Sequence, residues 1–136
     1  MSVTITSLGA ERLVAVNAPA MEAVPFLARF TTLQLAAEEF LCLDASAHEV
    51  ASVLDRGALV VDSGDAYAGW VVDGPDARDL LARACALDFE MMAIGAATRC
   101  LMGGVSDVLR LLPASRYELR VERSYAEWFE LWLRGI

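Results

Sequence analysis

The side chains in this sequence most able to do chemistry are carboxylates. Asp62, Asp65, Asp73, Asp76 and Asp79 form its densest acidic run, and paired carboxylates can divide general acid and general base work between them. Their positions argue for simpler roles. Asp65 falls in a turn, Asp73 and Asp76 flank a helix start where negative charge suits the dipole, and Asp79 lies on that helix's polar face. Asp62 stands slightly apart because it ends a strand before a tight turn. His48 is the sole histidine and sits early in a helical stretch, off its apolar stripe, as a solvated residue. No second histidine completes a zinc set, and Cys42, Cys85 and Cys100 are widely spaced with no Cys-x-x-Cys. Each lies in apolar sequence, as buried free thiols in a reducing compartment do. Gly103-Gly104 lacks the Gly-x-Gly-x-x-Gly spacing of a dinucleotide loop and is expected to be a strand turn. The chain has no lysine, which removes both the phosphate-loop lysine and a Schiff-base nucleophile. No catalytic, cofactor-binding or metal-ligating residue is assigned on these grounds.

The elements that would carry these groups can be read from periodicity. Val3 to Thr6, Leu13 to Val16, Thr32 to Ala36, Phe40 to Leu43, Ala58 to Val61 and Tyr67 to Val72 are predicted strands. Ser63-Gly64-Asp65 is expected to join the last two as a hairpin-like turn. Residues 18–31 are ambiguous, with Pro25 interrupting any helix there. Ser46 and Glu49 spell a capping box opening a helix to Gly57. Pro75 suits the first turn of a second helix, whose buried stripe is Ala77, Leu80, Leu81 and Ala84. Thr98 to Met102, Asp107 to Leu112 and Tyr117 to Val121 are further strands. Ser124 to Glu127 reads as another capping box, and Tyr125, Trp128, Phe129, Trp132 and Leu133 then recur at helical spacing. Trp128 and Phe129 are expected in the core, with Trp132 the exposed anchor. Met91-Met92 and this aromatic helix could instead line a ligand pocket. Strands interrupted by three helices give an α+β class, with an antiparallel or mixed sheet covered by helices on one face.

Bulk properties narrow the function. The 136 residues suit a single domain, 1–136. Hydrophobic residues make up 57 % of them, more than one small core needs, and an oligomer interface is the natural place for the surplus. The formal net charge of −8, without a basic stripe, argues against nucleic acid as a partner. No apolar run approaches the ~20 residues that cross a bilayer, and no secretory signal pattern opens the chain. No membrane partner is expected, and a cytoplasmic location is.

Over residues 38–135 the sequence resembles the γ subunit of heterotetrameric sarcosine oxidase, a relative of the glycine-cleavage T-protein fold. The resemblance rests on Trp70-Val71-Val72-Asp73-Gly74-Pro75 leading into Leu80-Leu81, then on Cys85-Ala86-Leu87-Asp88-Phe89. It continues in Tyr117 to Trp128 with Leu131-Trp132-Leu133. Glu39-Phe40-Leu41, Val60-Val61-Asp62-Ser63 and Thr98-Arg99 after Gly95 fall in the same order. It implies a T-protein-like fold and an accessory subunit without an active site. FAD, FMN, NAD and tetrahydrofolate would be bound by the large α and β partner subunits, which oxidise sarcosine or a related N-methyl or imino acid. The alternative it leaves open is a free-standing folate-binding module of T-protein type.

Overall fold

The structure is a computed structural model that describes residues 2–136. In chain order its elements are β1 (Thr4–Ser7), β2 (Leu13–Asn17), α1 (Ala20–Leu27), β3 (Thr31–Ala36), β4 (Glu39–Leu43), α2 (Ala47–Ala51), β5 (Leu59–Asp62) and β6 (Tyr67–Asp73). They continue with α3 (Ala77–Ala82), β7 (Ala97–Met102), β8 (Val105–Leu112), β9 (Arg116–Glu122) and α4 (Ala126–Gly135). The α+β class and antiparallel pairing read from the sequence hold. There are two sheets, however, and the chain divides into two compact units.

The unit Ala10–Ala66 is built on an antiparallel sheet of order β3-β4-β2-β5. Val14, Val16, Phe40 and Cys42 project from one face, as alternation dictates, onto Ala23 and Leu27 of α1 and Val50 of α2. The capping box of α2 forms as predicted, Ser46 accepting from the Glu49 amide while Glu49 accepts from the Ser46 amide. In α1 the structure departs from expectation, because the helix runs through Pro25. A proline there forfeits one backbone hydrogen bond, and the burial of Ala23 and Leu27 offsets that loss.

The other unit comprises the residues up to Gly9 together with Tyr67–Ile136. Its antiparallel sheet has the order β1-β6-β9-β8-β7. Trp70, Val72, Leu109, Leu119 and Val121 line one face and are covered by Leu80 and Leu81 of α3 and by Phe129 and Leu133 of α4. Gly103-Gly104 makes the tight turn between β7 and β8, both glycines at positive φ, as the sequence suggested. The expected β5–β6 hairpin does not exist. β5 pairs with β2 and β6 with β1 and β9, so Ser63-Gly64-Asp65 leads from one sheet to the other. The second expected capping box is also absent. Arg123–Tyr125 winds as a 3-10 turn, and Tyr125 caps α4 without a side-chain bond.

Gly74 holds the corner between β6 and α3 at φ +123°, and a β-carbon there would run into the carbonyl oxygen of Ser2. Gly74→Val is therefore expected to cost about 2 kcal/mol or more. Pro75 lies in the turn before α3, one residue ahead of the Asp76 cap and not in the first helical turn as expected, and Pro75→Ala should cost under ~1 kcal/mol, since alanine tolerates a turn position of this kind. Thermal melts of the two variants measure the difference, and equal losses would refute a conformational role for Gly74.

Candidate functional site

The five carboxylates of the acidic run do not converge. Asp73, Asp76 and Asp79 belong to the unit of β6 and α3, where each serves local structure or solvent. Asp73 accepts from the Gly74 amide at 2.8 Å and faces Arg116 at 3.6 Å, while Asp76 accepts from the Ser2 amide at 2.6 Å. Asp79 is exposed. Asp62 and Asp65 instead share a polar cleft of about 220 Å³ in the other unit, with Glu11, Arg12 and Ser46. There Asp62 accepts from the Gly64 amide at 3.2 Å, fixing the turn, and Arg12 donates to Glu49 at 2.9 Å. The Ser46 bonds, seconded by Arg12, hold the Glu49 carboxyl below its ordinary range. His48 is exposed, as expected. Among the described residues no three His, Cys, Asp or Glu side chains are grouped to hold a metal ion.

The most perturbed titratable group is one that motif reading passed over. Asp107 on β8 shares the sheet face of Leu109 and Leu111 and is only 1 % exposed. It stands opposite Cys100 of β7, whose thiol donates to its Oδ1 at 2.7 Å, and its Oδ2 has no partner. Burial pushes the Asp107 carboxyl up to about 7, the Cys100 hydrogen bond recovering part of the loss. The Cys100 thiol is driven far above its ordinary range, first by burial, then by the Asp107 charge and hydrogen bond, and last by Cys85. A thiol so reluctant to ionise is a poor nucleophile. The pair is thus a polar contact inside an apolar layer, and none of the three cavities described in this section is lined by it. Its signal in the sequence was an ionisable residue on the apolar side of the β8 alternation.

A second buried polar group lies on the opposite face of the same sheet. Alternation in β9 predicts a solvated side for Glu118 and Arg120, yet all of Tyr117 to Val121 is buried. Glu118 Oε1 accepts from Arg120 at 2.9 Å and from Arg110 at 3.1 Å. Such a network is costly to break, since removing one member strands the others in a poorly solvated place.

The aromatic helix reverses the expected assignment of its two tryptophans. Phe129 and Leu133 are fully buried. Trp132 is half-buried and lies over the β7–β8 turn, so close that a β-carbon on Gly103 would sit 2.7 Å from its ring. Trp128 is 50 % exposed and stacks on Trp132 at 6.2 Å, with 11° between the planes. Tyr125 is also about half exposed and Leu131 is 72 % exposed, leaving an apolar ridge along the outer side of α4. At 100° per residue Trp132 lies about 60° and Trp128 about 100° from Phe129, both on one side of it, so the wheel itself sets Trp132 nearer the core. The close Gly103 turn then covers Trp132. Glu130 fixes the helix azimuth by accepting from the Trp70 indole at 3.1 Å and from Arg134 at 3.2 Å. Two further cavities flank helices. One of about 230 Å³ lies between Val24, Leu27, Phe30 and Phe40, and one of about 270 Å³ between Leu80, Arg83, Ala84, Trp132 and Ile136. Met91 is exposed and Met92 half-buried, and neither lines these cavities. Among the described residues no helix is long and apolar enough to cross a membrane.

No protein-family model matches the sequence, and a search of curated proteins finds no match. Solved structures do match. A chain of the heterotetrameric sarcosine oxidase from Corynebacterium sp. U-96, in complex with pyrrole 2-carboxylate, superposes with a TM-score of 0.85 at 16 % identity, covering 96 % of this chain and 81 % of that one. The glycine cleavage system aminomethyltransferase T from Bartonella henselae superposes with a TM-score of 0.71 at 13 % identity. That match covers 98 % of this chain but only 45 % of the aminomethyltransferase. The fold of this chain is therefore the one shared by a chain of heterotetrameric sarcosine oxidase and part of the glycine-cleavage T-protein, as the sequence resemblance implied.

Proposed function

We propose that this chain is an accessory, non-catalytic subunit of a flavin-dependent oxidoreductase acting on sarcosine or a related N-methyl or imino acid. It works by assembly with larger subunits that hold the FAD, FMN, NAD and tetrahydrofolate. One observation carries the proposal: the likeness to a chain of a heterotetrameric oxidase runs through nearly the whole of this chain and most of the other. The T-protein likeness, by contrast, spans under half of that enzyme, which ranks a free-standing folate module second. The exposed side chains of Tyr125, Trp128 and Leu131 are consistent with a chain that is completed by a partner.

Co-expression with the large flavin subunits of the same organism's enzyme is expected to give a complex that survives size exclusion. The chain expressed alone should show no flavin absorbance and no tetrahydrofolate binding by fluorescence titration. Flavin co-purifying with the isolated chain at near-equal stoichiometry would overturn the accessory role, and saturable folate binding would favour the second reading.

A further inference from the structure

We infer that the cavity of about 230 Å³ at the C-terminal end of α1 is a binding site for a small neutral ring carrying an N–H or O–H donor, of the phenol or indole class. The inference is independent of the accessory-subunit reading and concerns the Ala10–Ala66 unit alone. Size sets the first bound. A cavity of about 150 Å³ holds a benzene-sized ring, and drug-sized ligands occupy roughly 300–1,000 Å³. This one therefore suits a single ring or two fused rings. Its walls are apolar, with Leu27 and Phe40 contributed from the core, Phe30 half-buried and Val24 exposed at the edge.

The polar part of the lining then selects the chemistry of the ligand. Thr32 and Gln34 are the polar side chains that reach the cavity, and both offer acceptors. Thr32 gives its proton to the Leu27 carbonyl at 2.9 Å, so the Cys42 thiol, 3.6 Å from the same hydroxyl, is the donor of that pair. One lone pair of the hydroxyl is left over. Gln34 turns Nε2 to the Ala36 carbonyl at 3.4 Å, which leaves Oε1 to accept. The Leu27 carbonyl also accepts from the Phe30 amide at 3.0 Å, so the cavity lies beside the carbonyl end of α1, where the helix dipole is negative. An anion is repelled there. A cation gains no counter-charge, because among the described residues no charged side chain lines the cavity. A plain hydrocarbon covers both acceptors without bonding them. A neutral ring with a donor meets all three conditions.

The test is titration of the full chain with phenol, anisole and benzoate, followed by amide chemical shifts in NMR. Phenol is expected to bind saturably and to move the amides of residues 24–34. Anisole should bind at least about fivefold more weakly, although it is the more apolar, because its methyl group blocks the donor. Benzoate should not bind. Thr32→Val combined with Gln34→Leu removes both acceptors and should bring phenol down to the anisole level, an unchanged anisole affinity reporting an intact cavity. Should that variant fail to fold, the ligand series on the unsubstituted chain decides alone. Absence of phenol binding, or anisole or benzoate binding as tightly as phenol, would overturn the inference. So would undiminished phenol binding in the doubly substituted chain, or phenol shifts centred elsewhere, for instance on Trp132. A site that takes phenol in the free chain but is closed in a co-purified complex would belong to a partner's side chain and overturn it too.

Discussion

Phe129→Ala is expected to cost about 3–5 kcal/mol, the usual penalty for emptying a large aromatic from a closed core. Phe129 is wholly buried and touches Trp70 at 5.3 Å and Trp132 at 5.5 Å between ring centroids. Small domains hold only ~5–15 kcal/mol in total, so this variant should be partly unfolded at 37 °C. Its neighbour gives the contrast. Trp128→Ala removes a larger side chain, yet half of that side chain already meets water and its one ring contact is with Trp132. A cost under ~1 kcal/mol is expected there. Urea unfolding of both variants by circular dichroism decides the matter, and comparable losses would mean that the ridge is part of the core.

The second large effect depends on pH. The Asp107 carboxyl has an ordinary value of 3.8 and is raised to about 7 in the folded chain. Between those values the folded protein keeps a proton that the unfolded chain has released. Stability contributed by the protonated group is therefore complete below about pH 4 and is lost as pH rises to about 7, a change of roughly 4 kcal/mol. Asp107→Asn keeps an acceptor for the Cys100 thiol and removes the titration. Its stability should be nearly flat from pH 5 to pH 8, and at pH 8 it should exceed that of the unsubstituted chain. Glu49 and Glu130 do not confuse the comparison. Their carboxyls are held low, by Ser46 and Arg12 and by Trp70 and Arg134 respectively, so their contributions are lost only in acid. Parallel pH profiles for the two proteins would show that Asp107 does not titrate in this window.

What could be read from the sequence was what is encoded locally. The Ser46–Glu49 box, the Gly103-Gly104 turn and the Gly74 corner each depend on residues within a few positions of one another, and each formed as expected, although Pro75 falls just before the helix instead of in its first turn. The fold class followed from summing such elements. Errors arose where a partner distant in sequence decides the outcome. Ser63-Gly64-Asp65 has good turn chemistry, but nothing local reveals that β5 belongs with β2 and β6 with β9. Alternation in β9 correctly separates Tyr117, Leu119 and Val121 from Glu118 and Arg120. It cannot report that both sides are buried and that Arg110 and Arg120 neutralise Glu118. The Asp107–Cys100 contact was hidden for the same reason, since it is a cross-strand pair seven residues apart that only the hairpin register brings together.

One feature of the connectivity bears on how the chain is made. β1 precedes the rest of its sheet in the chain, and the strand it pairs with, β6, begins only at Tyr67. Every strand of the Ala10–Ala66 sheet is synthesised in that interval, so the nascent chain can complete one sheet while its first strand waits unpaired. In the folded chain β1 lies on β6, with the Leu8 amide donating to the Gly69 carbonyl at 2.9 Å. Those two residues are neighbours in space, so Ala10–Ala66 leaves and re-enters the five-stranded sheet at nearly one point. Topologically the segment interrupts a β1–β6 hairpin, and replacing it with a short turn would leave every pairing of that sheet intact.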